Sequence, residues 1–366
     1  MRCALIMAGG TGGHVFPALA LAEALRTHGW RVIWLGGGGM ENAWVESRGF
    51  SMERVRMAGV RGKGMMRALQ SPIMLAWALG QSLVIMLKQR PHVVVGFGGY
   101  VALPGGLAAV LLRLPLVVHE QNAVAGLTNR ILARLATRVL EGFADSFRQP
   151  SSHPLGRWLG FPRRVLTVGN PVRQTLLNLP SPAVRFASRE GKLRILVLGG
   201  SQGAQALNQW VPKAMALIPE NQRPWVVHQG GANNLPQLQE QYRLAGVSGD
   251  LRPFIDDMAE AYSQCDLVIC RAGALTLAEL SAVGLGSVLV PFPAAVDDHQ
   301  TRNARRLEEV GAARLWPQQE CDPQALAHWL EALDRKQLLV MAEAARAVFH
   351  SETVADMMGV CEELAA

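Results

Sequence analysis

The sequence predicts an α/β protein made of two parallel-sheet halves, and three observations carry that prediction. Short apolar runs alternate with helical patterns along the chain, the arrangement that gives a parallel sheet with helices on both faces. A strand, a glycine turn and a helix follow one another twice: Arg2–Ala8 runs into Gly9-Gly10-Thr11-Gly12-Gly13-His14, and Leu193–Leu198 runs into Gly199-Gly200-Ser201-Gln202-Gly203-Ala204. The length of 366 residues suffices for two domains of ordinary size. In each turn the scarcity of side chains lets an anion or a sugar approach the backbone, and the following helix supplies N–H groups and partial positive charge.

In the first half, strands are expected at 2–8, 31–35, 52–56, 92–96, 115–119 and 137–140, with helices at 16–28, 41–48, 65–89, 101–113 and 126–135. Pro17 near the start of the first helix and Gly29 just past its end are well-placed start and stop signals. Residues 148–164 read as a loop at the first domain's edge, and Val165–Val168 as a last short strand leading to Gly169-Asn170-Pro171. The hinge falls at 165–190, where Pro171, Pro180 and Pro182 break regular structure. A second alternation has strands at 193–199, 225–229, 251–254, 266–270 and 287–291 and runs to about 316; the tail, 322–364, reads as helical throughout.

Composition narrows the class. Apolar residues make up 49% and charged residues 18% of the chain, so it packs a core. The formal net charge of +7 fits solubility, and also nucleic acid, acidic substrates or an anionic membrane surface. Five cysteines (Cys3, Cys265, Cys270, Cys321 and Cys361) with no C-x-x-C read as buried free thiols in a reducing compartment. The first strand begins at residue 2, which leaves no room for a cleaved signal peptide. Of the two long apolar stretches, 72–87 contains Gln81 and Ser82, and 101–118 contains Pro104, Arg113 and Pro115. Neither offers the roughly 20 uninterrupted apolar residues of a membrane span; they read as a surface-seeking helix and as a buried helix plus strand.

The glycine turns do not fit the commonest nucleotide motifs. A G-x-G-x-x-G reading from Gly10 needs glycine where Val15 stands, and Leu35 is followed by Gly36-Gly37-Gly38-Gly39, with no acid closing the second strand. His14, at the loop mouth, is either a helix-start residue or an acid–base group. Gly96-Phe97-Gly98-Gly99-Tyr100 forms a third glycine loop. His119-Glu120-Gln121-Asn122 ends the next strand, where an open α/β sheet places its ligand contacts; a satisfied structural network is the other reading. In the second half, Asp266–Cys270 leads into Arg271-Ala272-Gly273 and a helix whose first N–H groups, at 274–276, can hold a diphosphate without a metal. Glu279 lies a turn further in. Asp297 and Asp298 open a probable helix, where carboxylates are favoured without any metal.

The order of motifs resembles the MurG family, the UDP-N-acetylglucosamine:lipid I transferases of bacterial cell-wall synthesis. The likeness spans the chain: GGTGGH at 9–14, GVRGKG at 59–64, GFGGYVALPGG at 96–106, HEQNAVAGLTN at 119–129, GNPVR at 169–173, GGSQGA at 199–204, FIDDM at 254–258, CRAGALTLAE at 270–279 and PFPAAVDDHQTRNA at 291–304. Ala272 stands where some relatives have serine, and the 148–164 loop is long. The resemblance implies a GT-B fold of two Rossmann-like domains with a cleft between them. Residues 1–165 would be the acceptor and membrane-facing domain, 166–340 the UDP-sugar domain, and 341–366 a helix returning to the first.

By motif, Ser201 and Arg173 would contact the donor's phosphate region, and Ile255 the uracil through its backbone. Ala274, Leu275 and Thr276 would line the diphosphate, Glu279 the ribose and Gln300 the sugar hydroxyls, with Leu277 and Ala278 also among the substrate-binding residues. Thr11, Gly12, Gly13 and Asn122 would close over the donor. His14 is the candidate base with Glu120 behind it. The implied partners are UDP-N-acetylglucosamine, undecaprenyl-linked lipid I and an anionic membrane surface, with no nucleic acid, metal or cofactor. The implied location is the cytoplasmic face of the bacterial inner membrane, held peripherally. Ile73, Met74, Leu75, Trp77, Leu79 and Leu83, flanked by Arg61, Lys63, Arg67, Lys88 and Arg90, would form the membrane contact. A different GT-B sugar transferase, an epimerase and a noncatalytic nucleotide-sugar-binding scaffold are the competing readings.

Overall fold

The strands form where apolar runs are unbroken, because a strand of a parallel sheet is buried on both faces. The computed structural model describes the chain apart from residues 11, 40, 58–64, 150–161, 163, 201 and 202; for 65–71 it describes the backbone alone. Two units result, one of Met1–Val172 with His350–Ala366, the other of Arg173–Phe349.

The first unit holds strands β1 (Cys3–Met7), β2 (Arg31–Gly36), β3 (Ser51–Arg54), β4 (Val93–Gly96), β5 (Leu116–Glu120), β6 (Arg138–Glu141) and β7 (Val165–Thr167). They pair in the order β3-β2-β1-β4-β5-β6-β7, every pair parallel. Helices α1 (Gly12–Thr27), α2 (Glu41–Glu46), α3 (Met65–Gln89), α4 (Ala102–Leu111) and α5 (Leu127–Ala133) connect them. One core cluster joins Leu19, Leu21, Trp34 and Phe97 with Met357, Met358 and Cys361 of the chain's last helix; another joins Leu5, Met7, Met86 and Val118. The order of strands reverses direction at the β1/β4 pair, which is where an open α/β sheet leaves a crevice at its carboxyl edge.

The second unit repeats the plan with β8 (Arg194–Leu198), β9 (Trp225–Gln229), β10 (Asp250–Arg252), β11 (Leu267–Cys270), β12 (Gly286–Leu289) and β13 (Ala313–Leu315). Its order is β10-β9-β8-β11-β12-β13, again all parallel, with the reversal at β8/β11. Short helices α6 (Gln174–Leu177) and α7 (Pro182–Ala187) precede the sheet, and α8 (Gln205–Leu217), α9 (Leu235–Ala245), α10 (Met258–Gln264), α11 (Ala274–Val283) and α12 (His299–Glu308) connect it. The fully buried carboxylate of Asp266 is held by Arg189 (2.5 Å), Arg335 (3.3 Å) and the Arg194 N–H (2.8 Å), which fixes the start of β11 beside β8.

Three differences from the expected elements have physical causes. Helix α1 begins at Gly12 rather than 16, so His14 lies in its first turn and Pro17 in its second; two glycines read as turn because they are poor helix formers. Strand β13 was not singled out, being short and only partly buried. The tail is not one helix but α13 (Pro323–Glu331), α14 (Arg335–Ala347) and α15 (Thr353–Leu364). Asp322 caps α13 by accepting from the Ala325 N–H, and Asp334 with Gln337 forms a capping box on α14.

Candidate active site

In the first unit the glycine loops after β1 and β4 meet backbone to backbone. A Cβ on Gly99, whose φ is +82°, would sit 2.3 Å from the Gly9 carbonyl oxygen. Only glycine lets the two loops approach so closely. On Gly98 (φ +98°) a Cβ would lie 3.0 Å from His14 Cδ2 and 3.4 Å from Asn129 Nδ2, so His14 is packed against the third glycine loop with Asn129 behind it. His14 is half-buried and Gly13 exposed, placing both at the sheet's carboxyl edge with the first N–H groups of α1. Thr11 lies outside the described residues.

Glu41, which sequence reasoning did not single out, braces these loops. Its carboxylate is fully buried and accepts from the Tyr100 hydroxyl (2.9 Å), the Gly37 N–H (3.1 Å) and the Gly10 N–H (3.5 Å). Burial opposes the charge. Hydrogen bonds from its own backbone N–H, Tyr100, Gly37 and Gly39 outweigh it and hold the carboxyl below its ordinary value. The only sequence signal was an acid just after four glycines.

The polar run at the end of β5 is mostly structural. His119 is fully buried; its Nε2 donates to the Gly169 carbonyl at 2.9 Å and its Nδ1 accepts from Gln121 Nε2 at 3.0 Å, an assignment made from the hydrogen-bond network. Burial lowers its pKa to about 4, so the ring is neutral. Glu120 is 2% exposed. One of its oxygens accepts from the Asn122 N–H (2.9 Å) and Nδ2 (3.1 Å), the other from the Gly126 N–H (3.0 Å) and Asn129 Nδ2 (2.9 Å). Glu120 therefore shapes the 122–126 loop and the first turn of α5, and its link to His14 runs through Asn129 and Gly98.

In the second unit, Gly203 (φ +76°) lies against Gly230: a Cβ there would be 2.0 Å from the Gly230 carbonyl oxygen. Ser201, in the same loop, lies outside the described residues. Helix α11 starts at Ala274 behind Gly273, which gives no side-chain cap. Its first backbone bond is from Leu277 N to the Gly273 carbonyl (3.0 Å), leaving the N–H groups of Ala274, Leu275 and Thr276 pointing out of the helix end. Leu277 is buried on this helix and Ala278 half-buried. Arg271 turns back instead, donating to the carbonyls of Val290 (3.1 Å) and Pro291 (3.2 Å).

Arg173 and Glu279, predicted as separate donor contacts, are partners of each other: Arg173 Nη2 lies 2.8 Å from Glu279 Oε1. The buried Tyr262 hydroxyl donates to Glu279 Oε2 at 3.1 Å. Ile255 is 4% exposed, and its backbone N–H and C=O take no hydrogen bond from the described residues. It also lines a cavity of about 700 Å³ along β8–β10, with Trp225 and Phe254. Gln300 Oε1 accepts the Phe292 N–H at 2.9 Å, which orients the side-chain amide. Among the described residues no group of His, Cys, Asp and Glu is placed to hold a metal ion.

Two parallel Rossmann-like sheets, each with a glycine turn at its switch point, have the architecture of the GT-B class of glycosyltransferases. Residues 4–141 match the N-terminal domain of glycosyltransferase family 28, and residues 194–358 match its C-terminal domain. An Azoarcus sp. protein named UDP-N-acetylglucosamine--N-acetylmuramyl-(pentapeptide) pyrophosphoryl-undecaprenol N-acetylglucosamine transferase is 53% identical over 366 residues, covering 100% of this chain and 99% of the relative. A Nitrosomonas eutropha protein of the same name is 52% identical, covering 98% and 99%. The crystal structure of Acinetobacter baumannii MurG superposes with a TM-score of 0.83 at 37% identity, covering 99% of this chain and 100% of that one. The chain belongs to the MurG family.

Proposed function

We propose that the chain is an inverting transferase that moves N-acetylglucosamine from UDP-N-acetylglucosamine to the C4 hydroxyl of the N-acetylmuramyl sugar of lipid I, giving lipid II for peptidoglycan synthesis. The observation that carries the reading is the uncapped start of α11 beside the Arg173–Glu279 pair. Main-chain N–H groups, a guanidinium and a carboxylate side by side suit a diphosphate joined to a ribose. The identities of donor and acceptor are supported by the activity named for the Azoarcus and Nitrosomonas relatives.

In this reading the second unit holds the donor. The backbone of Ile255 pairs with the uracil, and Glu279 accepts from the ribose hydroxyls. The free N–H groups of Ala274, Leu275 and Thr276, with Arg173 and Ser201, meet the diphosphate, Leu277 and Ala278 complete that turn of the binding site, and Gln300 meets the sugar. From the first unit, Thr11, Gly12, Gly13 and Asn122 are further candidate donor contacts by their motifs. His14 removes the proton from the acceptor hydroxyl as that oxygen attacks the anomeric carbon. The bond from that carbon to the diphosphate oxygen breaks, and its electron pair leaves with UDP from the opposite face, so the new link is β1→4. N–H dipoles and the guanidinium stabilise the charge that grows on UDP. Glu120 serves as a positioning residue. Transfer of radiolabel from UDP-N-acetylglucosamine to a prenyl-linked acceptor, with little from UDP-glucose, is the expected result; no transfer, or equal transfer from both, overturns the proposal.

A lipid-borne acceptor requires a membrane contact, and α3 suits it. Among the described residues no helix is long and apolar enough to cross a membrane. On α3, Ile73, Trp77, Val84 and Leu87 are 75%, 64%, 66% and 61% exposed. At 100° per residue they fall within about 40° of one line, an apolar stripe roughly 20 Å long. Of the predicted contact residues only Ile73 and Trp77 are on it; Leu79 and Leu83 pack on the core instead. Lys88 and Arg90 are exposed at its end, while Arg61, Lys63 and the Arg67 side chain lie outside the described residues. The stripe lies on the cytoplasmic leaflet of the inner membrane, with the cations drawn to anionic lipid. The W77E/V84E double variant should lose on the order of tenfold or more in binding to anionic vesicles by flotation. Unchanged binding, or equal binding of the parent chain to neutral and anionic vesicles, counts against this contact.

A further inference from the structure

The hydroxyl of Tyr262 has a role beyond packing. Tyr262 is fully buried in α10, and its O–H donates to Glu279 Oε2 at 3.1 Å while Arg173 holds Oε1 at 2.8 Å. A carboxylate offers about four acceptor directions, so with one taken on each oxygen, one on each remains for a vicinal diol. The two anchors differ in freedom. The Arg173 side chain is 31% exposed and can turn to another anion, whereas Tyr262 is enclosed on every side. Burial, together with the neighbouring Glu279 carboxylate, raises the phenol well above its ordinary value, so it remains a donor throughout the working pH range. Helix α10 is itself fixed: the Asp257 side chain caps it by accepting from the Glu260 N–H at 2.9 Å. Ile255 lies just before that cap, so one short helix sets both the base-facing backbone and the ribose-facing carboxylate.

We propose that Tyr262 is a positioning residue that locks the Glu279 carboxylate for the ribose diol of the donor nucleotide, and so sets the preference for ribose over 2′-deoxyribose. The proposal rests on the reading of Glu279 as the ribose contact. With Arg173 drawn toward the diphosphate, the phenol is the anchor that keeps the carboxylate aimed. Without it, the Glu279 side chain gains rotamer freedom and the loss falls on donor recognition.

Competition of UDP and of 2′-deoxy-UDP against the donor tests this in the full chain. The parent chain should prefer UDP by about tenfold, one hydrogen bond to a charged acceptor. Tyr262→Phe should shrink that preference to about twofold, raise donor KM about three- to tenfold and leave kcat within about twofold. Tyr262→Leu removes the same hydroxyl with a different shape and should give the same ratio, so either variant that folds decides the matter. A preference that stays at the parent value in a folded variant overturns the role of Tyr262 while leaving Glu279 as the ribose contact. A parent chain that binds both nucleotides equally removes Glu279 from the ribose 2′-hydroxyl, and the proposal with it. A merely structural role would lower the thermal midpoint without changing the ratio.

Discussion

Replacing His14 with alanine is expected to lower kcat by a factor on the order of 10²–10⁴ while donor KM stays within about threefold. The imidazole lies in the first turn of α1 at the carboxyl edge of β1, packed against Gly98. That packing limits the ring's motion, as a base that must meet one hydroxyl requires. Donor binding depends on the second unit in the proposed mechanism, so removing the ring should spare KM. Near-normal turnover by H14A with intact donor binding would assign proton removal to another group.

The second large effect is expected at Glu120, and it should appear in stability as well as in rate. Glu120→Ala strips acceptors from the Asn122 and Gly126 N–H groups, in the loop before α5, and from Asn129 Nδ2 in the first turn of α5, which keeps its bond to the His119 carbonyl. Buried donors left unmatched cost about 1–3 kcal/mol each, and the parent bonds are charge-assisted. The variant should lose about 3–5 kcal/mol in urea unfolding and at least tenfold in kcat, because Asn129 backs the Gly98–His14 contact. Glu120→Gln, which keeps one good acceptor, should fall between. A Glu120→Ala chain that unfolds within 1 kcal/mol of the parent would sink the bracing role.

The strands that line the switch points were the most legible part of the fold. Cys3–Met7, Val93–Gly96 and Leu267–Cys270 are buried at every position, so their sequences are continuous apolar runs. The edge strand Ser51–Arg54 is half-exposed and its bounds were expected one to two residues later. Glycine turns were visible as turns, but what each one touches was not: nothing local in Gly99 reveals that the Gly9 carbonyl lies against it. The residues missed were those whose meaning is a distant partner. Each of the three tyrosines in the chain donates or shares its hydroxyl with a polar group far along the sequence: Tyr100 with Glu41, Tyr242 with His228, Tyr262 with Glu279. Scarcity was the available signal, since a phenol used sparingly in an apolar chain is kept for its polar tip. The apolar stripe of α3 was legible as an amphipathic helix, but which residues faced out depended on where α4 packs.

The route of the chain has a consequence for biosynthesis. The first unit is assembled from segments at opposite ends of the sequence, and Met357, Met358 and Cys361 of α15 complete the layer over α1. While the ribosome is still translating the second unit, that layer is missing, and the apolar side of α1 stays open to water. The second unit, whose segments are contiguous, can settle during elongation, whereas the first closes only after α15 has left the exit tunnel. An early stop codon before α15 therefore damages the half of the protein translated earliest, a liability for chaperones to cover throughout synthesis.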